Sequence, residues 1–172
     1  MYRYQLAKIV EWAGTVDTRK RMQKIVYLLQ VKGCPLEAEY TLHHYGPYSQ
    51  DVARLTDEMV RDSLLIEKAE SNPIGQQYSY QVAEDVPQKM TAFEETLLGR
   101  TVADQMKPFK SLALDLVRAS LKDLEFASTI VFFRKQGHLW PNAIKKMCEF
   151  KKLPQDSPYV MQANQLARQF ID

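Results

Sequence analysis

Three observations in the 172-residue chain predict a mostly helical α+β fold. Apolar residues recur at helical spacing over most of the length, a β-branched and aromatic run interrupts them at residues 39–45, and a turn-forming stretch at residues 71–75 separates two short strand-like segments. Helix, helix, extended run, helix and hairpin follow one another up to residue 86, which is the order of a winged-helix-like unit. Beyond Pro87 the pattern is helical. The expected organisation is a winged-helix-like unit at residues 1–86 with a helical C-terminal region at residues 87–172 packed on it as one compact domain.

Leu6, Ile9, Val10 and Ala13 form one apolar stripe, so residues 2–13 are expected to be helical and to end at Gly14. Asp17 or Thr18 is placed to cap the next helix, which carries the stripe Met22, Ile25, Val26 and Leu29 and ends at Gly33. In residues 39–45 the period changes to two: Tyr40, Leu42 and His44 face one way, and Thr41, His43 and Tyr45 the other. Gly46 and Pro47 break that strand, and Ser49 is positioned to cap a helix with the stripe Val52, Leu55 and Met59.

Residues 64–69 and 77–82 read as two strands of a hairpin. Thr91 with Glu94, and Ser120 with Asp123, have capping-box spacing. The second box opens an apolar helix over residues 121–134, and Pro141 and Pro158 sit where prolines start helices. Leu112, Leu114 and Leu116 alternate, so residues 108–118 fit strand or helix, with helix preferred.

The stretches RKRMQKIVYLLQ and YTLHHYGPYSQDVARLTDEMVRDSLLI, with the later LEFASTIVFF and YVMQANQLARQFI, resemble the uncharacterised YwgA-like proteins of bacteria over most of the chain. The first half is more remotely similar to the Panacea or SocA-type domain of antitoxins. The resemblance implies a fold and no particular chemistry.

No apolar run approaches the roughly 20 residues that span a bilayer, and the start MYRYQLAKIVEW lacks the core of a signal peptide, so a cytoplasmic location without membrane association is expected. Cys34 and Cys148 are expected to be buried free thiols. Charge is segregated along the chain: a net of +5 over residues 1–36, −8 over 37–106 and +5 over 107–172.

This distribution opposes ordinary DNA reading. The helix before the hairpin, which enters the major groove in a winged helix, carries Asp51, Asp57, Glu58 and Asp62 against Arg54 and Arg61, and the hairpin turn has no cation. Arg19, Lys20, Arg21 and Lys24 form a basic cluster that is either a nucleic-acid contact or a solvated helix face. Lys145, Lys146, Lys151 and Lys152 pose the same choice. His43 and His44, adjacent on a strand, point to opposite faces and do not chelate one metal. No metal-ligand spacing, nucleophile elbow or phosphate loop is present, so neither a cofactor nor an enzyme activity is expected.

Tyr45 and Tyr48 flank a rigid Gly-Pro turn, where they either supply contact area to a partner or, in the plainer reading, Tyr45 seals the core. The leading expectation is a non-enzymatic protein-binding regulator or adaptor, with an antitoxin-like role among its forms, that recognises an unidentified protein through Tyr45, Tyr48, Asp51, Arg54, Asp57 and Glu58. The alternative is a nucleic-acid-binding transcriptional regulator using the basic ends, with a homodimer compatible with either. An enzyme of unknown class stands third.

Overall fold

The computed structural model describes residues Met1–Ile171 and is mostly helical with small antiparallel sheets. Helix α1 (Arg3–Ala13), strand β1 (Val16–Asp17) and helix α2 (Arg19–Val31) are followed by an extended segment and the short strands β2 (Thr41–His43) and β3 (Gly46–Tyr48). Then come α3 (Gln50–Arg61), the long strands β4 (Leu65–Asn72) and β5 (Gly75–Val82), and the helices α4 (Val86–Glu94), α5 (Leu97–Met106), α6 (Lys110–Arg118), α7 (Leu121–Lys135), α8 (Trp140–Lys151) and α9 (Pro158–Ala167). A 3-10 turn at Lys107–Phe109 joins α5 to α6, so the ambiguous Leu112–Leu116 stretch is helical.

Helices start where short side chains satisfy free amides. Thr18 Oγ1 accepts from the Arg21 amide at 3.0 Å, Ser49 Oγ from Val52 at 3.3 Å and Ser120 Oγ from Asp123 at 3.0 Å. Thr91 departs from the expectation. It lies within α4, its hydroxyl donating to the Pro87 carbonyl at 3.0 Å, and Thr96 instead caps the following helix by accepting from the Gly99 amide. The spacing of a capping box recurs by chance inside helices, because the same i,i+3 geometry holds along their whole length.

Strand β1 completes a three-stranded sheet of order β1-β5-β4, with Val16 opposite Tyr80 and Leu65 opposite Val82. The hairpin strands run longer than expected, from Leu65 to Val82 around a Pro73-Ile74 turn whose Ile74 amide donates to Asn72 Oδ1 at 2.9 Å. The core is built around α2 and α7. Ile25, Val26, Leu28 and Leu29 of one helix and Leu124, Ala127, Ile130 and Val131 of the other are fully buried, with Tyr27 and Phe132 meeting between them. One buried cluster therefore draws on both halves of the chain. Cys34 and Cys148 are buried free thiols, and burial pushes the Cys34 thiol up to about 11.

The largest difference from the sequence reading lies at residues 39–48. Instead of one strand to Tyr45, the chain folds back at His44-Tyr45, and Gly46-Pro47-Tyr48 form the returning strand with His43 opposite Gly46 and Thr41 opposite Tyr48. Gly46 permits this with φ at +92° and by lacking a Cβ, which would collide with Thr129 Oγ1 of α7. Tyr45 consequently projects from the turn, 60% exposed, and does not seal the core.

Two substitutions check this junction. Ser49→Ala, at a fully buried position, is expected to lower stability by about 1 kcal/mol through loss of the cap. Gly46→Ala is expected to cost about 2 kcal/mol or more from positive φ together with the Thr129 collision. Chemical denaturation measures both, and equal stabilities for Gly46→Ala and wild type would contradict the close seat on α7.

Candidate functional site

Of the residues singled out by sequence, Lys20, Lys24, Tyr45 and Tyr48 meet at the β2–β3 turn, and α2 provides the floor beneath it. A two-stranded hairpin is marginal by itself, and among the described residues this one has no third strand. Side chains of α2 supply the missing partners. The Gln23 amide acts as a backbone substitute, donating through Nε2 to the Ser49 carbonyl at 2.9 Å and accepting from the Ser49 amide through Oε1 at 2.8 Å. Gln30 does the same for Ala38, with both bonds at 2.8 Å. Lys24 donates to the Pro47 carbonyl at 2.6 Å, and Lys151, at the end of α8, donates to the His44 carbonyl at 3.0 Å.

Lys24 is only 1% exposed, an unusual state for an amine. Burial pulls its pKa down to about 7; Glu125 opposes that shift, while Lys151 and Lys20 add to it. Glu125, on α7, lies between two of the three lysines, accepting from Lys20 at 2.9 Å and from Lys151 at 2.5 Å. Burial tends to raise the Glu125 carboxyl, but these two hydrogen bonds outweigh it and hold the group below its ordinary value. Burial also pulls Lys151 down, in part against its bond to Glu125.

Above this buried charge cluster stand the aromatics. The Lys20 amine lies 3.8 Å from the centroid of the Tyr45 ring, and the Lys151 amine lies 5.9 Å from it. His43 stacks on Tyr48 with centroids 4.6 Å apart, while His44 is exposed at the tip. Between α2 and the turn remains a cavity of about 380 Å³, in the size range of small-ligand sites, and Lys20, Lys24, His43, Tyr45 and Tyr48 line it.

The remaining expected residues are placed differently. Arg19 reaches away from the turn to Asp57 at 2.7 Å, Glu67 at 2.9 Å and the Tyr80 hydroxyl at 2.7 Å. Arg21 donates to the carbonyls of Val117 at 3.0 Å and Ala119 at 2.6 Å at the end of α6. The basic cluster thus divides among ion pairs, a helix end and the buried floor of the cavity. On α3, Asp57 pairs with Arg19, Asp62 with Arg3 at 2.8 Å, and Glu58 lies 3.8 Å from Arg54. Asp51 faces Arg54 at 3.5 Å and is half-exposed at the start of α3, beside the hairpin.

Glu125 and Thr129 escaped the sequence reading because they sit in a helix that reads as core. The available signal was Glu125 itself, the lone carboxylate within the apolar run LEFASTIVFF. Lys151 appeared only as one member of a surface-like basic group.

No family model matches the chain. The chain is similar to the uncharacterised protein YwgA of Bacillus subtilis (strain 168), with 29% identity over 130 residues, covering 75% of this chain and 72% of that protein. This agrees with the YwgA-like resemblance noted in the sequence. No helix among the described residues is long and apolar enough to cross a membrane.

The buried amine gives a pH signature. The folded protein releases the Lys24 proton near pH 7, whereas the unfolded chain holds it to about pH 10, so the unfolded state binds more protons between those values and stability rises with pH across the window. The melting temperature of wild type relative to Lys24→Met is therefore expected to climb from about pH 7 to about pH 9 and to be flat below about pH 6. A difference that stays constant over the whole range would place the Lys24 pKa near its ordinary value.

Proposed function

We propose that this protein is a non-enzymatic, cytoplasmic protein-binding regulator or adaptor whose recognition element is the His43–Tyr48 turn, with the Asp51 edge of α3 beside it. The observation that carries the reading is an exposed tyrosine on a turn whose backbone is hydrogen-bonded from α2 and α8. Tyr45 is largely in solvent, yet the backbone on either side of it is fastened by Lys24, Lys151 and Gln23. A rigid aromatic presented in this way contributes contact area to a complex with little ordering cost.

The element order from α1 to β5, with β1 closing the sheet, supports a winged-helix-like reading of the first half. In that reading the usual groove-facing helix is α3, whose acidic side chains disfavour DNA. The rival nucleic-acid role is also less well supported because Arg19, Lys20 and Arg21 already have partners and Lys24 is buried. The remote likeness to Panacea or SocA-type domains favours an antitoxin-like regulator among the protein-binding roles.

Tyr45→Ala is expected to leave the fold intact, since exposed positions seldom change stability by more than about 0.5 kcal/mol, a lost exposed cation–π contact adding a comparable amount. It is expected to weaken partner capture roughly tenfold or more, as for an aromatic anchor. A pull-down from the native host with wild type, Tyr45→Ala and Asp51→Lys tests this. An unchanged set of captured proteins, together with duplex DNA binding that falls in Lys20→Ala, would favour the nucleic-acid role.

A further inference from the structure

The cavity beneath the turn contains more cationic groups than its own acids satisfy. Lys20 and Lys24, one helical turn apart on the same face of α2, line it, and Lys151 of α8 stands beside it at the His44 carbonyl. Glu125 is the carboxylate beside them, and among the described residues its hydrogen bonds come from Lys20 and Lys151 and none from Lys24. An ammonium group has three donors, and among the described residues Lys24 donates a single hydrogen bond, to the Pro47 carbonyl. A buried cation left with a carbonyl as its hydrogen-bond partner is costly, and a bound anion removes that cost.

We propose that this cavity is a binding pocket for a carboxylate carried on an aromatic or apolar stem, with Lys24 and Lys20 taking the charge and the rings of His43, Tyr45 and Tyr48 taking the stem. The volume of about 380 Å³ exceeds what a bare anion fills, so a stem is needed to occupy it. The ring faces favour apolar or aromatic contact. Phosphate is the poorer match because recognition of its oxygens favours an arginine fork, and Arg19 has its guanidinium on Asp57, Glu67 and Tyr80. The inference rests on the reading of the turn as a recognition element and gives the chemistry of the group that the element receives. That group is either the chain end of a partner or a free organic acid.

The test is a titration of the full chain followed by amide NMR signals of residues 43–48. N-acetylphenylalanine stands for a peptide end, benzoate for a free acid, N-acetylphenylalaninamide for the same stem without charge, and inorganic phosphate for a bare anion. Saturable shifts with dissociation constants of roughly 1 mM are expected for at least one of the two acids, and at least about tenfold weaker binding for the amide and for phosphate. Tighter binding of N-acetylphenylalanine than of benzoate identifies a chain end as the source, and the reverse order identifies a free acid. Lys24→Met is expected to weaken the preferred acid at least about tenfold. If that variant does not fold, Lys20→Met and Tyr45→Ala at the cavity mouth make the same comparison. No saturable shift with either acid, equal binding of the amide, tighter binding of phosphate, or undiminished binding by a folded Lys24→Met protein would overturn the proposal. Partner capture is a separate readout, so a failed titration with intact, Tyr45-dependent capture overturns the pocket assignment and leaves the protein-binding reading standing.

Discussion

The fixed position of the β2–β3 turn depends on a buried amine. Lys24 extends from α2 to the Pro47 carbonyl at 2.6 Å, and an unpaired carbonyl at this depth would itself be unfavourable. The surrounding geometry follows from that contact. Gly46 must approach α7 closely enough that only glycine fits against Thr129, Gln23 fastens Ser49, and Ser49 then caps α3. Lys151 holds the other side of the turn from α8 while bound to Glu125. Residues far apart in sequence are joined through one small hairpin.

The charge segregation of the chain acquires a structural meaning in these contacts. The basic first segment and the acidic middle are complementary partners: Arg3 meets Asp62, and Arg19 meets Asp57 and Glu67. The basic last segment contributes Lys151, and its lone core acid Glu125 answers Lys20 of the first. Exposed pairs of this kind contribute little to stability individually, and Arg19 is nearly half exposed. Glu125 and Lys151 differ because both are largely withdrawn from water, so removing one partner strands a buried charge. The acidity of α3 is thereby partly cancelled within the molecule, with Asp51 the half-exposed carboxylate at its hairpin end.

Local features were legible in the sequence because their causes are local. The caps at Thr18, Ser49 and Ser120, the prolines opening α8 and α9, and the β4–β5 hairpin each depend on residues a few positions apart. The same logic identified Tyr45, Tyr48 and the basic stretch of α2 as unusual. What it missed depends on long-range packing. The alternating pattern read as one strand through Tyr45, but the reversal at His44-Tyr45 is possible only because α7 leaves room for Gly46, a fact about a helix encoded far downstream. Likewise, Lys24 reads as one more cation until the β2–β3 turn folds over it, and Glu125 reads as an imperfection in a core helix until Lys20 and Lys151 reach it. Thr91 shows the opposite failure, a local pattern without its structural consequence.

The central claim is that these buried contacts hold the turn in one conformation. Backbone 15N relaxation measures it most directly, comparing His44, Tyr45 and Gly46 with α2 beneath them and with Ile74 at the tip of the other hairpin, which is 98% exposed. The account predicts order parameters at the turn close to the rigid-backbone value of about 0.85, and clearly lower values at Ile74. Equal mobility at the two tips, on the picosecond to nanosecond scale, would contradict it.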